Sequence, residues 1–166
     1  MSYLTTLLAG THEKETFSCD NDMLDNYLHK QAKQDLKRKL SACFVLSDDG
    51  KQIKGYYTLS NASINRSELP ENIINKLPHS YTNLPVTLLG RLAIDTHFKG
   101  QGIGALLLID ALKRSYDVSA TSIASMAIVV DPIDDVAIRF YAKYGFISLH
   151  DSGRMFIAMK TVEGLF

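Results

Sequence analysis

The feature of this sequence that most constrains its fold is a glycine-rich turn between two apolar segments. Residues 88–95 read LLGRLAID, glycines follow at Gly100, Gly102 and Gly104, and residues 105–109 are again apolar. This order predicts a buried strand, a tight turn and a helix. Glycine suits the turn because it adopts positive φ and lets a ligand approach the backbone closely. Since free N–H groups at a helix N-terminus attract phosphate, the sequence predicts a ligand that carries a nucleotide.

Three kinds of glycine-rich phosphate site compete for this turn. A P-loop requires Gly-Lys-Ser or Gly-Lys-Thr, which does not occur here, and the dinucleotide fingerprint requires wider glycine spacing. The turn instead resembles that of the GNAT family of acyl-CoA N-acyltransferases. The family pattern, Gln/Arg-x-x-Gly-x-Gly/Ala, falls on Lys99, Gly102 and Gly104. Lysine at position 99 keeps the positive charge but loses the bidentate contact of a guanidinium.

A second segment resembles the other GNAT signature, Asn-x-x-Ala-x-x-Phe-Tyr-x-x-x-Gly-Phe. The matching residues are Ala137, Phe140, Tyr141, Gly145 and Phe146. Asp134 stands where the family commonly has Asn, and it is also suited to cap a helix. Gly145 is placed to end that helix. Two motifs in the family's order make the resemblance more specific than either motif alone.

Length and composition are those of a globular domain. The chain has 166 residues, of which 46% are hydrophobic and 22% are charged, which predicts one domain. The resemblance implies that residues 1–166 form a single GNAT acyltransferase domain. Cys19 and Cys43 lack metal-ligand spacing, so buried free thiols and no metal site are expected, with a disulfide between them as the alternative. The sequence shows no basic targeting segment and no apolar stretch of membrane-spanning length, which predicts a cytoplasmic protein with no membrane partner.

Local patterns predict the individual elements. The predicted strands are residues 5–9, 42–46, 53–60, 85–95, 122–130, 146–149 and 154–159. The predicted helices are a stretch capped by Asp20 or Asp22 and reaching about residue 40, a short helix within 67–77, and residues 101–116 and 134–144. This order indicates an α/β fold. The resemblance implies a mixed, mostly antiparallel sheet with splayed central strands, flanked by helices.

The resemblance also implies that acetyl-CoA is the acyl donor. In this family the strand before the glycine turn offers backbone groups to the pantetheine amides, and the turn holds the diphosphate. The implied acetyl-CoA-binding residues are Leu92, Ala93, Ile94, Lys99, Gly100, Gln101, Gly102, Ile103, Gly104, Ala105, Asp134, Ala137 and Phe140.

Tyr141 is the implied general acid for the thiolate leaving group. A phenol titrates near ~10 and a thiol near ~8.5, so the phenol is protonated at neutral pH. The alternative is that Tyr141, next to Phe140, is a core aromatic. No general base stands out, because the histidines occur singly and Asp95 is expected to make structural hydrogen bonds. An α-amine, which titrates near ~7.7–8.0, needs no base.

Three segments, residues 17–28, 55–60 and 84–93, resemble the toxin branch of the GNAT family. Those toxins acetylate the α-amine of aminoacyl-tRNA, pair with antitoxins and commonly form dimers, so the implied partners are aminoacyl-tRNA, an antitoxin protein and a second copy of the chain. The candidate substrate-binding residues are Lys33, Lys37, Arg38 and Arg91. For the three on the predicted helix, a solvated helix face is the alternative.

Because the net charge is zero, functions other than acetylation of RNA-borne amines are alternatives. With 18 basic and 18 acidic residues the chain has no overall positive field that would draw it to RNA. One alternative is therefore an acetyltransferase of a small amine or of a protein N-terminus. Another is a module that binds CoA without turning it over.

Overall fold

The computed structural model describes residues 2–166. The strands are β1 (Thr6–Leu7), β2 (Ala42–Leu46), β3 (Gly55–Asn65), β4 (Asn83–Ile94), β5 (Ala127–Val130), β6 (Ile147–Ser148) and β7 (Met155–Ala158). The α-helices are α1 (Asp22–Asn26), α2 (Ala32–Lys37), α3 (Glu71–Ile74), α4 (Ile103–Thr121), α5 (Asp135–Lys143) and α6 (Met159–Glu163). A π-helical segment, Tyr27–Gln31, joins α1 to α2, and short 3₁₀ helices occur at Lys14–Thr16, Arg66–Glu68 and Thr96–Phe98.

The strands form one seven-stranded sheet in the order β1-β2-β3-β4-β5-β7-β6. Antiparallel pairing joins β1 to β2, β2 to β3, β5 to β7 and β7 to β6. The sheet is thus mostly antiparallel and is flanked by helices, as expected. The chain divides into two compact units, to both of which β3, β4 and α4 contribute residues.

The first unit contains the residues up to Ser60 together with Leu89–Arg114. Its core joins α1, the π-helical segment and α2 to buried residues of β2, β3 and β4, and its members include Phe17, Leu28 and Tyr56. Phe17 and Tyr56 pack edge to face, with ring centroids 5.5 Å apart. The Tyr56 hydroxyl donates to the Leu24 carbonyl at 2.7 Å, so this large side chain is buried without leaving its polar atom unpaired.

The second unit contains Asn61–Leu88 and Ser115–Phe166. Its core forms from side chains of β3, β4, β5 and β7 and of the adjoining loops. The buried members are Ile64, Leu69, Leu84, Val86, Ala127, Val129, Leu149 and Phe156. Every residue of β5 is buried, which explains why this strand reads as a continuous apolar run.

The structure corrects the predicted start of the first helix. Its N-cap is Asn21, whose side chain accepts the Leu24 N–H at 3.1 Å, rather than Asp20 or Asp22. Asp20 lies in the left-handed region with φ of 65°, and Asp22 is already the first helical residue. The turn at Asp20 places Asn21 in the extended conformation that a cap requires.

Other predicted bounds change for identifiable reasons. Helix α4 continues past residue 116 to Thr121, where the Ser122 and Ile123 N–H groups bond to the Val118 carbonyl, and β5 begins only at Ala127. Helix α6 was not predicted, although its buried residues Met159 and Val162 have helical spacing.

Both cysteines are buried and free, as predicted. Within residues 2–166, no helix is both long enough and apolar enough to cross a membrane.

Candidate functional site

The glycine turn of the first unit has the geometry of an anion-binding loop. Gly100 and Gly102 have φ of 81° and 74°, and a Cβ at either position would meet no atom within 4 Å. Positive φ, rather than crowding by protein atoms, is therefore what requires glycine here. The Leu106 N–H bonds to the Gly102 carbonyl at 3.3 Å as α4 begins. The N–H groups of Ile103, Gly104 and Ala105 precede this bond and are available to a ligand.

Lys99 ties the turn to the loop before α1. Its ammonium donates to the Cys19 carbonyl at 2.9 Å. One of its three protons is used in this bond, and its charge remains beside Gly100 and Gln101, which are both exposed. We therefore expect Lys99 to have two roles. Its charge attracts phosphate, and its hydrogen bond to the Cys19 carbonyl holds the turn in place.

The end of β4 lies close to β3 at a glycine that the sequence analysis did not single out. Leu92 and Ile94 are partly exposed, whereas Ala93 between them is buried. A Cβ on Gly55 would lie 2.9 Å from the Ala93 carbonyl oxygen and 2.8 Å from a Leu107 methyl. Only glycine therefore allows β3, β4 and α4 to pack at this distance. A glycine inside the predicted strand 53–60 was the available signal.

Arg91 packs on an aromatic ring of the helical layer. Its guanidinium carbon lies 3.5 Å from the centroid of the Tyr27 ring. The Tyr27 hydroxyl donates to the buried carboxylate of Asp35 at 2.9 Å. Arg91 is partly exposed, and no residue of the described chain accepts a hydrogen bond from its guanidinium. It therefore presents a positive charge whose N–H groups are available to a ligand.

The three cationic candidates of the first helical region are exposed. Lys33 and Lys37 lie one turn apart on α2, and Arg38 follows as its C-cap. In the part of the chain that the structure describes, none of the three forms an ion pair with a carboxylate. These residues form a small positive surface on the same unit as Arg91.

The second unit positions Tyr141 through α5. Asp134 caps this helix by accepting the Ala137 N–H at 2.8 Å, as predicted. The Tyr141 side chain is 8% exposed, and its ring contacts those of Phe140 and Phe146 with centroids 5.3 and 5.2 Å away. Its hydroxyl makes no hydrogen bond to the described residues. Burial raises the pKa of Tyr141 to about 12, so the phenol is protonated at physiological pH.

Asp95 makes the structural hydrogen bonds that were predicted for it. It caps the 3₁₀ helix after β4 by accepting the His97 N–H at 2.9 Å, and it also accepts the Ser18 N–H at 3.1 Å. The His97 ring bonds to the same carboxylate at 2.8 Å. Burial alone would raise the pKa of Asp95, but these hydrogen bonds hold it below its usual range. A carboxylate of this kind is a weak base, so it does not supply the missing general base.

The matching domain family is the GNAT acetyltransferase domain, which covers residues 39–148. A tRNA-acetylating toxin of Mycobacterium tuberculosis is 35% identical over 159 residues, covering 95% of this chain and 93% of the relative. Both signature segments and the central strand lie inside the matched regions.

Two solved structures match nearly the whole chain. AtaT complexed with acetyl-methionyl-tRNA superposes with a TM-score of 0.89 and 27% identity, covering 99% of both chains. An AtaT mutant bound to the C-terminus of the antitoxin AtaR and acetyl-CoA superposes with a TM-score of 0.82 and 25% identity, covering 98% of this chain and 96% of the other. The similarity is therefore to complete toxin chains rather than to a shared fragment.

Proposed function

The chain belongs to the GNAT acetyltransferase family and uses acetyl-CoA as its acetyl donor, and we propose that its acceptor is the α-amine of aminoacyl-tRNA. The observation that carries this acceptor is the end-to-end similarity to a toxin that acetylates tRNA.

The residues of the glycine turn fit the charged part of acetyl-CoA. Gly100 and Gly102 leave open space beside the first turn of α4, and Lys99 adds a positive charge. We assign the diphosphate to the N–H groups of residues 100–105. The backbone at residues 92–94 pairs with the pantetheine amides. The family resemblance alone adds Asp134, which caps α5, and Ala137 and Phe140 within it.

Acetyl-CoA supplies a thioester carbonyl that an unprotonated amine attacks, so that a C–N bond forms and the C–S bond breaks. The Leu92 N–H stabilises the negative charge that develops on the carbonyl oxygen. Tyr141 donates its phenolic proton to the departing sulfur. Because the pKa of Tyr141, about 12, lies above that of a thiol, about 8.5, the proton released by the attacking amine must return to the phenolate in the same catalytic cycle.

The acceptor amine explains why the chain needs no general base. An α-amine titrates near ~7.7–8.0, so a substantial fraction is unprotonated at neutral pH. A lysine side chain titrates near ~10.4 and would require proton removal before attack. After β4, the described residues include Asp95, which is a weak base, and the His97 imidazole bonded to it, and an α-amine requires neither of them as a base.

The positive surface of the first unit binds the RNA. Lys33, Lys37 and Arg38 are exposed cations without carboxylate partners, which suits phosphate contacts. Arg91 is less exposed and is held against Tyr27, so it binds the acceptor near the reacting end. The net charge of zero does not prevent this binding, because a local group of cations acts over the Debye length of about 8 Å.

The biological partners follow from this acceptor. We infer that the whole chain works as one acetyltransferase domain, acts in the cytoplasm where charged tRNA occurs, and is controlled by an antitoxin protein. Toxins of this branch commonly pair, and we expect a homodimer.

The test is radiolabelled acetyl transfer from acetyl-CoA to a charged tRNA pool, with uncharged tRNA, peptide N-termini and small amines in parallel. We expect label on charged tRNA and none on uncharged tRNA. Tyr141→Phe should reduce kcat by about 100-fold or more, because proton donation is worth about 10²–10⁴-fold. Tyr144→Phe, one turn later and packed on the same Phe140 ring, is the matched control and should retain activity.

Two results would overturn the proposal. Label only on small amines or peptides would exclude aminoacyl-tRNA and leave the acetyltransferase assignment in place. Equal turnover by the wild-type protein and by Tyr141→Phe would show that Tyr141 is not the general acid and only packs in the core.

A further inference from the structure

The first unit contains a cavity that the acetyl-transfer reaction does not use. Its volume is about 340 Å³, and it opens between the segment after β1 and the start of α2. The lining residues are Leu8, Ala9, Gly10, His12, Lys14, Glu15 and Lys33. None of these belongs to the glycine turn, to β4 or to α5. The volume lies at the lower end of the range for small-molecule sites, which suits a single nucleotide better than a long segment.

The polar groups of this cavity are mainly hydrogen-bond donors. Lys14 and Lys33 each carry an ammonium that forms no ion pair within residues 2–166. The Ala9 N–H donates to His12 Nδ1 at 2.9 Å, which leaves Nε2 of the same ring as a donor. Leu8 and Ala9 add an apolar wall. Two ammonium groups and the single carboxylate of Glu15 give one excess positive charge, which matches a phosphodiester better than a doubly charged phosphate monoester.

The walls are held by backbone contacts. The Leu8 N–H bonds to the Cys43 carbonyl at 2.9 Å, and the Glu13 N–H bonds to the Lys51 carbonyl at 2.8 Å. Glu13 also forms an isolated bridge with Gln52. The segment that carries His12, Lys14 and Glu15 is therefore attached to β2 at Leu8 and to the loop between β2 and β3 at Glu13. A site of this kind exists before its ligand arrives and loses little conformational entropy on binding.

We propose that this cavity holds one nucleotide of the acceptor RNA, with the phosphodiester bound between Lys14 and Lys33; this inference rests on the proposed function. Lys33 lies one helical turn from Lys37, so the cavity continues the positive surface along α2. The cavity fixes the RNA at a point away from the reacting amine. It contributes to affinity and orientation rather than to the chemical step.

The test measures how salt affects the affinity for uncharged tRNA, which does not depend on acetylation. In the Lys14→Gln/Lys33→Gln variant we expect the slope of log affinity against log salt to become shallower by about 0.7–0.9, because the contact to one phosphate is lost. The KM for charged tRNA should rise by about 10-fold. Lys14→Arg/Lys33→Arg, which keeps both charges, should retain the wild-type slope.

The matched control is Lys76→Gln/Lys160→Gln, which removes the same charge from two exposed lysines that do not line the cavity. Its slope should equal that of the wild type. If the cavity variant and this control have the same slope and KM, the proposal is wrong, while acetylation of charged tRNA by the wild type would still support the proposed function. A rise in the KM for acetyl-CoA, with the tRNA slope unchanged, would assign the nucleotide to the acetyl donor and equally overturn the proposal. A shallower slope in a protein that acetylates no tRNA would support the cavity as an RNA site and refute the proposed function.

Discussion

The guanidinium of Arg91 stacks on the ring of Tyr27, with the guanidinium carbon 3.5 Å from the ring centroid. Tyr27 is the first residue of the π-helical segment, and its hydroxyl is fixed by Asp35 at 2.9 Å. Burial and the Asp35 hydrogen bond raise the pKa of Tyr27 to about 12, so its ring remains a neutral phenol. This arrangement orients the free edge of Arg91 without using its hydrogen-bond donors.

Replacement of Arg91 should therefore weaken acceptor binding. We expect Arg91→Met to raise the KM for charged tRNA by about 10-fold or more, since a charge-assisted hydrogen bond contributes about 1.5–3 kcal/mol. Arg91→Lys should raise the KM for charged tRNA almost as much, because a lysine ammonium lacks the planar group that stacks on Tyr27. Arg139→Lys, at an exposed position of α5, is the control for this exchange. Steady-state kinetics measure the KM of each variant. If Arg91→Lys keeps the wild-type KM for charged tRNA, the stacked, directional role of Arg91 is contradicted.

The glycine turn can be tested by two alanine substitutions of equal backbone strain. Gly102 and Gly153 have φ of 74° and 71°, and a Cβ at either position meets nothing within 4 Å. Gly102→Ala and Gly153→Ala should each lower the free energy of unfolding by about 1–2 kcal/mol. Only Gly102→Ala should also raise the KM for acetyl-CoA. Urea denaturation measures the stability of both variants. If both variants show the same change in the KM for acetyl-CoA, the turn affects acetyl-CoA binding through stability alone.

The pH dependence of turnover should reflect the substrate amine and not Tyr141. The pKa of Tyr141 is raised to about 12, so its phenol is protonated throughout the range from pH 6 to pH 9. We expect kcat/KM for charged tRNA to rise with pH as the α-amine loses its proton and then to stay level. Tyr141→Phe should keep the rising limb at a much lower plateau. A falling limb between pH 7 and pH 9 would mean that a different acid donates the proton.

A buried carboxylate on α4 should be important for stability. Asp110 is 5% exposed and accepts the Leu4 N–H at 2.7 Å, the Thr5 hydroxyl at 2.5 Å and the Tyr57 hydroxyl at 2.8 Å. Asp110→Ala leaves three donors without their acceptor and should cost about 3 kcal/mol in the free energy of unfolding. Tyr57→Phe removes one of these bonds and also the bond that its hydroxyl accepts from Arg114 at 3.0 Å, and should cost about 2 kcal/mol. Urea denaturation that ranks the two variants in the reverse order would contradict this account.

Local features of the candidate site were predictable because neighbouring residues determine them. Positive φ at Gly102, the Asp134 cap and the end of α5 at Gly145, where φ is 98°, each depend on residues only a few positions apart. The N-cap of the first helix was predicted wrongly for the same kind of reason. Three polar residues in a row all suit a cap, and the left-handed turn at Asp20 decides which of them has the required φ.

Sequence alone determined the order of the elements, the glycine turn and the position of Tyr141 on α5, because hydrophobic spacing and backbone preference are encoded over short stretches. Tertiary structure decided which side chains meet. Lys99 reaches a carbonyl 80 residues away, and Thr5 reaches Asp110 across 105 residues. The stacking of Arg91 on Tyr27 and the cavity around Lys14 and Lys33 likewise arise from packing between distant segments. The spacing of residues along the chain does not predict such pairs, because two distant side chains meet only after the helices and strands that carry them have packed together.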